Sequence, residues 1–243
     1  MTRLVPALSG AALGVLIGVA ALAGVPALAA ALLLATVAIA SGWATLLNLP
    51  TPRGSTAVIA LGGAVAVTVA ALTDDPPYLR WLPGVLAVTL LVEFGHQLLR
   101  RDMRPRLVES VTGVVSALVV VGFGAGWLGA LHDDGGTGVV LVGAASAVAA
   151  AVALGLPWPQ RVTGPAAVAG GLTIGGLVGA LLPDERALPA ALVGALVGVV
   201  AATLDRLLAH LPTSVRPTAS VSMGVAPVVA SGMVVYTLGR LVS

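Results

Sequence analysis

The sequence predicts an all-α, polytopic membrane bundle of about nine transmembrane helices, built as a tandem parallel repeat of four helices plus one extra C-terminal helix. Three observations lead there. Hydrophobic residues make up 58% of the 243 and charged residues 9%, where soluble domains are roughly half apolar and a quarter charged. So few polar side chains cannot cover a core of this size, and lipid must cover it instead. The apolar residues fall into runs of about 18 to 23 residues, the length of one bilayer-spanning helix. The polar residues that punctuate those runs recur in the same order in both halves of the chain.

Taken in order, the first run covers residues 4–24 and the second 26–48, with only a Gly24-Val25-Pro26 turn between them. The third covers 56–72, the fourth 81–99 and the fifth 107–131. Between the last two lies an arginine-rich hinge, residues 100–106. The remaining runs are 139–156, 166–182, 187–211 and 219–239, and no connection is long enough to be a domain. The whole chain, 1–243, therefore reads as one integral membrane domain. Residues 1–30 carry Arg3, an apolar stretch and Ala27-Leu28-Ala29, the outline of a cleavable leader. The run before Pro26 is longer than a leader's apolar core and the same segment recurs later, so it is expected to persist as helix.

The repeat emerges at an offset of about 103 to 112 residues. Arg3-Leu4-Val5 matches Arg106-Leu107-Val108, and Leu49-Pro50-Thr51-Pro52-Arg53 matches the stretch from Leu156-Pro157 to Arg161. Asp74-Asp75 before Leu82-Pro83 matches Asp184-Glu185 before Leu188-Pro189, and Glu93 with Arg104-Pro105 matches Asp205 with Arg216-Pro217. The first copy spans about 2–103, the second about 105–215, and 216–243 reads as a partial third copy. Four crossings per copy bring both copies into the membrane from the same side, related by an axis along the membrane normal.

Orientation follows from arginine, since positive charge stays on the cytoplasmic side. Arg3, Arg53, Arg100, Arg101, Arg104, Arg106, Arg161, Arg206 and Arg216 fall on the side of the N-terminus, and only Arg80, Arg186 and Arg240 fall opposite. This predicts a plasma-membrane protein with its N-terminus inside and its C-terminus outside.

For chemistry there remains a small polar set. Glu93 and Asp205 each stand about six residues before the cytoplasmic end of their helix, roughly 9 Å deep. Charges at that depth are expected to face the bundle and to find partners. For Glu93 these are His96 and Arg100, with Gln97 adding donors, and Glu109 with Ser110 closing from across the hinge. Two readings stand side by side: a polar site near the repeat interface that carries a proton or a solute, or side chains that snorkel to the interface and lock helix ends to the arginine loop. Arg100, Arg101, Arg104, Arg106 and Arg216 are expected to contact anionic headgroups or a membrane protein partner. His132, Asp133 and Asp134 on a glycine-rich turn read as a solvated loop, not as a metal site.

Glycine and tryptophan add packing information. Gly10, Gly14 and Gly18, then Gly171, Gly175 and Gly179, and Gly194 with Gly198, share helix faces at four-residue spacing, which lets backbones approach closely in lipid. Trp43, Trp81, Trp127 and Trp158 stand near helix ends and are expected to anchor at the interface. No phosphate loop, zinc motif or nucleophile elbow is present, and the basic balance is only +2. The chain thus points to a membrane component without catalytic residues, cofactor or nucleic-acid partner: an assembly, scaffold or lipid-interacting protein, with a small-solute or proton-coupled transporter as the alternative.

Overall fold

The computed structural model describes residues 3–100, 106–183 and 185–242, the last without its side chain. Among the described residues the chain is all helical: α1 (Leu4–Ala23), α2 (Val25–Leu46), α3 (Pro52–Ala71), α4 (Leu82–Leu98), α5 (Leu107–His132), α6 (Gly136–Gly155), α7 (Gln160–Leu181), α8 (Ala187–Ala209) and α9 (Pro217–Val242). A short 3-10 turn, Pro212–Val215, precedes α9. Eight of these helices are long and apolar enough to cross a membrane. The exception is α4, whose 17 residues reach about 25 Å at 1.5 Å per residue, the short limit for a crossing. The molecule is a helical membrane bundle.

Helix starts differ most from the apolar runs in two places. Helices α3 and α7 begin at Pro52 and Gln160, earlier than residues 56 and 166. Their first turns carry Arg53, Gly54 and Ser55, or Arg161, Thr163 and Gly164. Those groups need no hydrocarbon around them, so hydropathy sees only the part of each helix beyond them. Between α1 and α2 the reversal takes a single residue, Gly24, at φ 96°. That angle favours a residue without a Cβ.

The centre belongs to α5 and α9, whose apolar windows are 72% and 67% buried, against 28% for α7. Glycines set how closely the others approach α9. A Cβ at Gly10 of α1 would lie 2.8 Å from the Gly224 carbonyl oxygen, and one at Gly126 of α5 would lie 2.4 Å from that of Gly232. A Cβ at Gly42 of α2 would meet the Thr218 carbonyl at 2.2 Å. So α9 runs between α1 and α5, with α2 closing one end. Helix α4 lies at the edge, packed on α3 and α5.

Trp43 and Trp127, expected at the interface, are buried inside the bundle instead, at 3% and 0% exposure. Each indole N–H donates to a carbonyl of a neighbouring helix at 3.0 Å, Trp43 to Gly113 and Trp127 to Val228. With that bond made, burial gains the full apolar area of the ring without stranding its one donor. Trp81 and Trp158 are exposed.

Candidate functional site

Two polar features stand out, and they occupy different parts of the fold. The first lies under α4. Its inward stripe is Leu82, Thr89, Glu93 and Gln97, all buried, while Val88, Leu91, Val92, Phe94 and Leu98 face outward. A Cβ at Gly62 would lie 2.6 Å from both Thr89 of α4 and Leu118 of α5, so α3, α4 and α5 meet at that level. Two helical turns nearer the hinge, at 1.5 Å per residue, the same geometry brings Ser55, Gln97 and Ser110 to one level, with Glu93 a turn above. Ser55, Glu93 and Ser110 are 0% exposed and Gln97 is 2% exposed.

Within this cluster Gln97 Nε2 donates to Glu93 Oε1 at 2.5 Å, and Arg100 Nη1 donates to Gln97 Oε1 at 2.8 Å. The other carboxylate oxygen, Oε2, stands 3.5 Å from His96 Nδ1. Neither of those two atoms has a hydrogen-bond partner, nor do the buried hydroxyls of Thr51, Ser55 and Ser110. Every buried polar side-chain atom left unpartnered among the described residues belongs to these five residues at one end of α3, α4 and α5. His96 leans over Gly54, where an added Cβ would fall 2.0 Å from Nε2.

The structure brings Glu93, His96, Gln97 and Arg100 together and bears on three points. Glu93 takes the inward course expected of a charge at that depth and not the snorkelling one: its helix turns the Thr89–Glu93–Gln97 stripe inward. Glu109 does not close on the cluster. It is exposed and paired with Arg106, whose Nε donates to Glu109 Oε2 at 2.6 Å and whose Nη1 donates to the Asn48 carbonyl. The three-residue spacing offers Glu109 a cation on its own face, which outcompetes a buried site. Arg101 and Arg104 lie outside the described residues, and Arg216 is exposed.

Third, Asp205 does not join Glu93 at a repeat interface. It lines the second feature, a narrow crevice between α1, α6, α8 and α9 of about 60 Å³. Arg3, Pro6, Ala147, Ala151, Ala201 and Asp205 are among the walls, with Met223, Gly224, Pro227 and Ser231 of α9 along its length. Asp205 is within electrostatic reach of Arg3 and Arg206, and Arg3 Nη1 also donates to the Trp158 carbonyl at 3.3 Å. Pro227 has no N–H for the Met223 carbonyl, so α9 is locally loosened against this crevice. His210, four residues from Arg206, bonds the Arg206 backbone carbonyl.

At the opposite end, His132 Nδ1 meets the Leu128 carbonyl at 2.8 Å and its ring stacks on Tyr78 at 5.2 Å. Asp133 faces Arg240 at 3.7 Å. Desolvation, then Asp133 and Asp134, push the Tyr78 phenol above its ordinary pKa.

Sequence reasoning missed Thr51, Gly54 and Ser55. Their signal was the register: Gly54-Ser55 in the first turn of α3 and His96-Gln97 in the last turn of α4 come to the same side of an antiparallel pair, where the turn joining α2 to α3 ends. Comparisons with protein-family models, curated proteins and solved structures find no match for this chain.

Proposed function

We propose that the chain is a non-catalytic component of the plasma membrane that holds a lipid in the crevice between α1, α6, α8 and α9. The observation that carries this reading is the chemistry of the crevice walls: small apolar side chains along the length, with Arg3 and Asp205 together at one end. An alanine-lined slot suits a hydrocarbon chain, and few polar groups at its mouth suit a headgroup. Arg3 meets a phosphate there, and Asp205 meets an amine or hydroxyl on the same headgroup. The arginine excess supports an N-terminus in the cytoplasm and a C-terminus outside, which puts this mouth in the inner leaflet. Arg106 and Arg216, exposed at the same end, add to the attraction for anionic lipid.

The tandem repeat belongs to the same proposal. His96 leans over Gly54 in the first half and Arg206 over Gly164 in the second, both members of the pair shifted along the chain by the same number of residues. Helix α1 packs on α6 and α5 on α2, the two contacts that exchange of the halves interconverts. The carrier alternative drew on Glu93 and Asp205 sharing one site, and their neighbours are different helices.

Native mass spectrometry of the protein, extracted in mild detergent, tests the lipid reading. Ala201→Trp and Ala147→Trp fill the slot from two walls and are expected to reduce co-purifying lipid by about tenfold, a change of about 1.4 kcal/mol. Leu91→Trp, on the outward face of α4, is expected to leave it unchanged. Equal lipid retention in all three variants would sink the reading.

A further inference from the structure

We infer that Glu93 and His96 form a proton-binding site embedded in the α3–α4–α5 packing and loaded from solvent through the outer edge of the His96 ring. The argument starts from orphaned atoms. Buried polar groups in folded proteins are nearly always hydrogen-bonded, and among the described residues the five that are not are concentrated at one end of three helices. Chance scatter would spread them over nine helices. Their chemistry is one carboxylate oxygen, one imidazole nitrogen and three hydroxyls.

Glu93 is fully buried, with one oxygen held by Gln97 and the other bare. His96 Nδ1 faces that bare oxygen at 3.5 Å, beyond a good hydrogen bond, and a quarter of the His96 side chain is still exposed. Nδ1 is buried, whereas Nε2, at the tip of the ring that rests on Gly54, makes no hydrogen bond among the described residues and is not fully buried. The imidazole therefore spans the boundary, one nitrogen toward the carboxylate and the other at the Gly54 contact, where water reaches it. Histidine is the side chain suited to pass a proton between those two sides.

Transfer balances without any co-reactant. His96 gives its Nδ1 proton to Glu93 Oε2 as Nε2 takes one from water, so one proton and one positive charge enter and the carboxylate becomes a neutral acid. Release runs the same steps backward. The hydroxyls of Ser55 and Ser110, at the level of Gln97, suit both states, because a hydroxyl donates to a carboxylate and accepts from a carboxylic acid. A fixed ion pair explains the cluster less well: it would close the 3.5 Å gap and leave neither atom unpartnered.

Among the described residues the charged groups around the pair are few. On α4, Arg100 reaches Glu93 through Gln97. From α3 the charged residue is Arg53, which is exposed, and at the α5 end Arg106 and Glu109 are exposed and neutralise each other. None of these replaces the proton at Oε2. This site is separate from the lipid crevice, and its test does not depend on that reading.

Infrared difference spectra of the purified protein in lipid nanodiscs, recorded across a pH titration, read the site directly. The wild type is expected to gain a protonated-carboxyl C=O band as pH falls. Glu93→Gln is expected to lose that band, while Glu109→Gln and Asp205→Asn keep it. His96→Gln is expected to keep the band and to slow its appearance after a pH jump by roughly tenfold or more. Should Glu93→Gln fail to fold, Glu93→Asp is expected to retain the band at a shifted frequency. A wild type without a titrating carboxyl band, a band unchanged in Glu93→Gln or in Glu93→Asp, or a pH-jump rate unchanged in His96→Gln overturns the inference.

Discussion

The α7–α8 and α3–α4 hairpins pack in opposite ways, although each joins a helix that starts with a polar turn to one that carries an acid near its end, Asp205 or Glu93. In α7–α8 the backbones themselves touch. A Cβ at Gly171 would sit 2.2 Å from the Gly194 carbonyl oxygen, one at Gly194 would sit 2.1 Å from that of Gly171, and one at Gly198 would sit 2.6 Å from the Ala167 carbonyl. In α3–α4 side chains stand between the helices, Thr89 over Gly62 and His96 over Gly54, and Gly84 and Gly95 of α4 meet nothing. Small residues on both partners close a seam in lipid, where packing and not water expulsion drives association. Small residues on one partner only make room for polar side chains on the other. The lesson is that a glycine stripe seals a helix pair only when answered by a second stripe, and an unanswered one marks where a buried polar site fits.

The sharpest way to break this comparison is at the seam. Gly171→Leu puts a side chain into backbone that has nowhere to move, and it should lower stability by about 3 kcal/mol or more, read as a loss of folded protein in detergent melting. If Gly171→Leu melts like the wild type, the seam is not close-packed. Next comes Glu93→Leu, which strands the Gln97 amide in the interior. Its cost should be about 1–3 kcal/mol in the same melting assay, with Glu93→Gln close to wild type. Gly95→Ala on α4 should reverse the sign, gaining up to about 1 kcal/mol from helix propensity because the new methyl meets no neighbour. A loss there would mean α4 has a partner on that face. The smallest effect belongs to Gly164→Ala, whose Cβ would have the flexible end of Arg206 as its nearest neighbour. It should change melting by a few tenths of a kcal/mol, whereas a large loss would mean Arg206 is fixed in place.

Much of the fold was legible because a bilayer demands apolar runs of nearly constant length, and each helix satisfies its own backbone. Where the demand lapses, legibility lapses. The first turns of α3 and α7 are polar, so their starts were read late, and nothing in hydropathy separates a tryptophan at the interface from Trp43 or Trp127 donating to a carbonyl within the bundle. Glu93, His96 and Gln97 were readable as intramembrane polar residues four or fewer apart. That a charge at the depth of Glu93 turns inward follows from its cost in lipid, but which helices it meets does not, because depth can be counted along one helix and neighbours cannot. Ser55 gave no warning, since a helical serine can bond its own backbone. Glu109 misled for a local reason, its nearness to Arg106. The rank of α9 was also hidden: reading 216–243 as a partial third copy says nothing of where it packs, although its buried Ser220, Ser222 and Ser231 are what a central helix tolerates and a lipid-facing one avoids.

The central position of α9 bears on how the protein is made. A ribosome delivers α1 through α8 to the membrane before α9 exists, so Gly10, Gly42 and Gly126 wait as bare grooves while the rest of the chain is already inserted. The bundle is completed from the inside by α9, which follows every helix it packs against. A nascent chain arrested before Pro217 should therefore be inserted yet unfinished, with the groove of α1, α2 and α5 open to proteases and quality control until translation resumes.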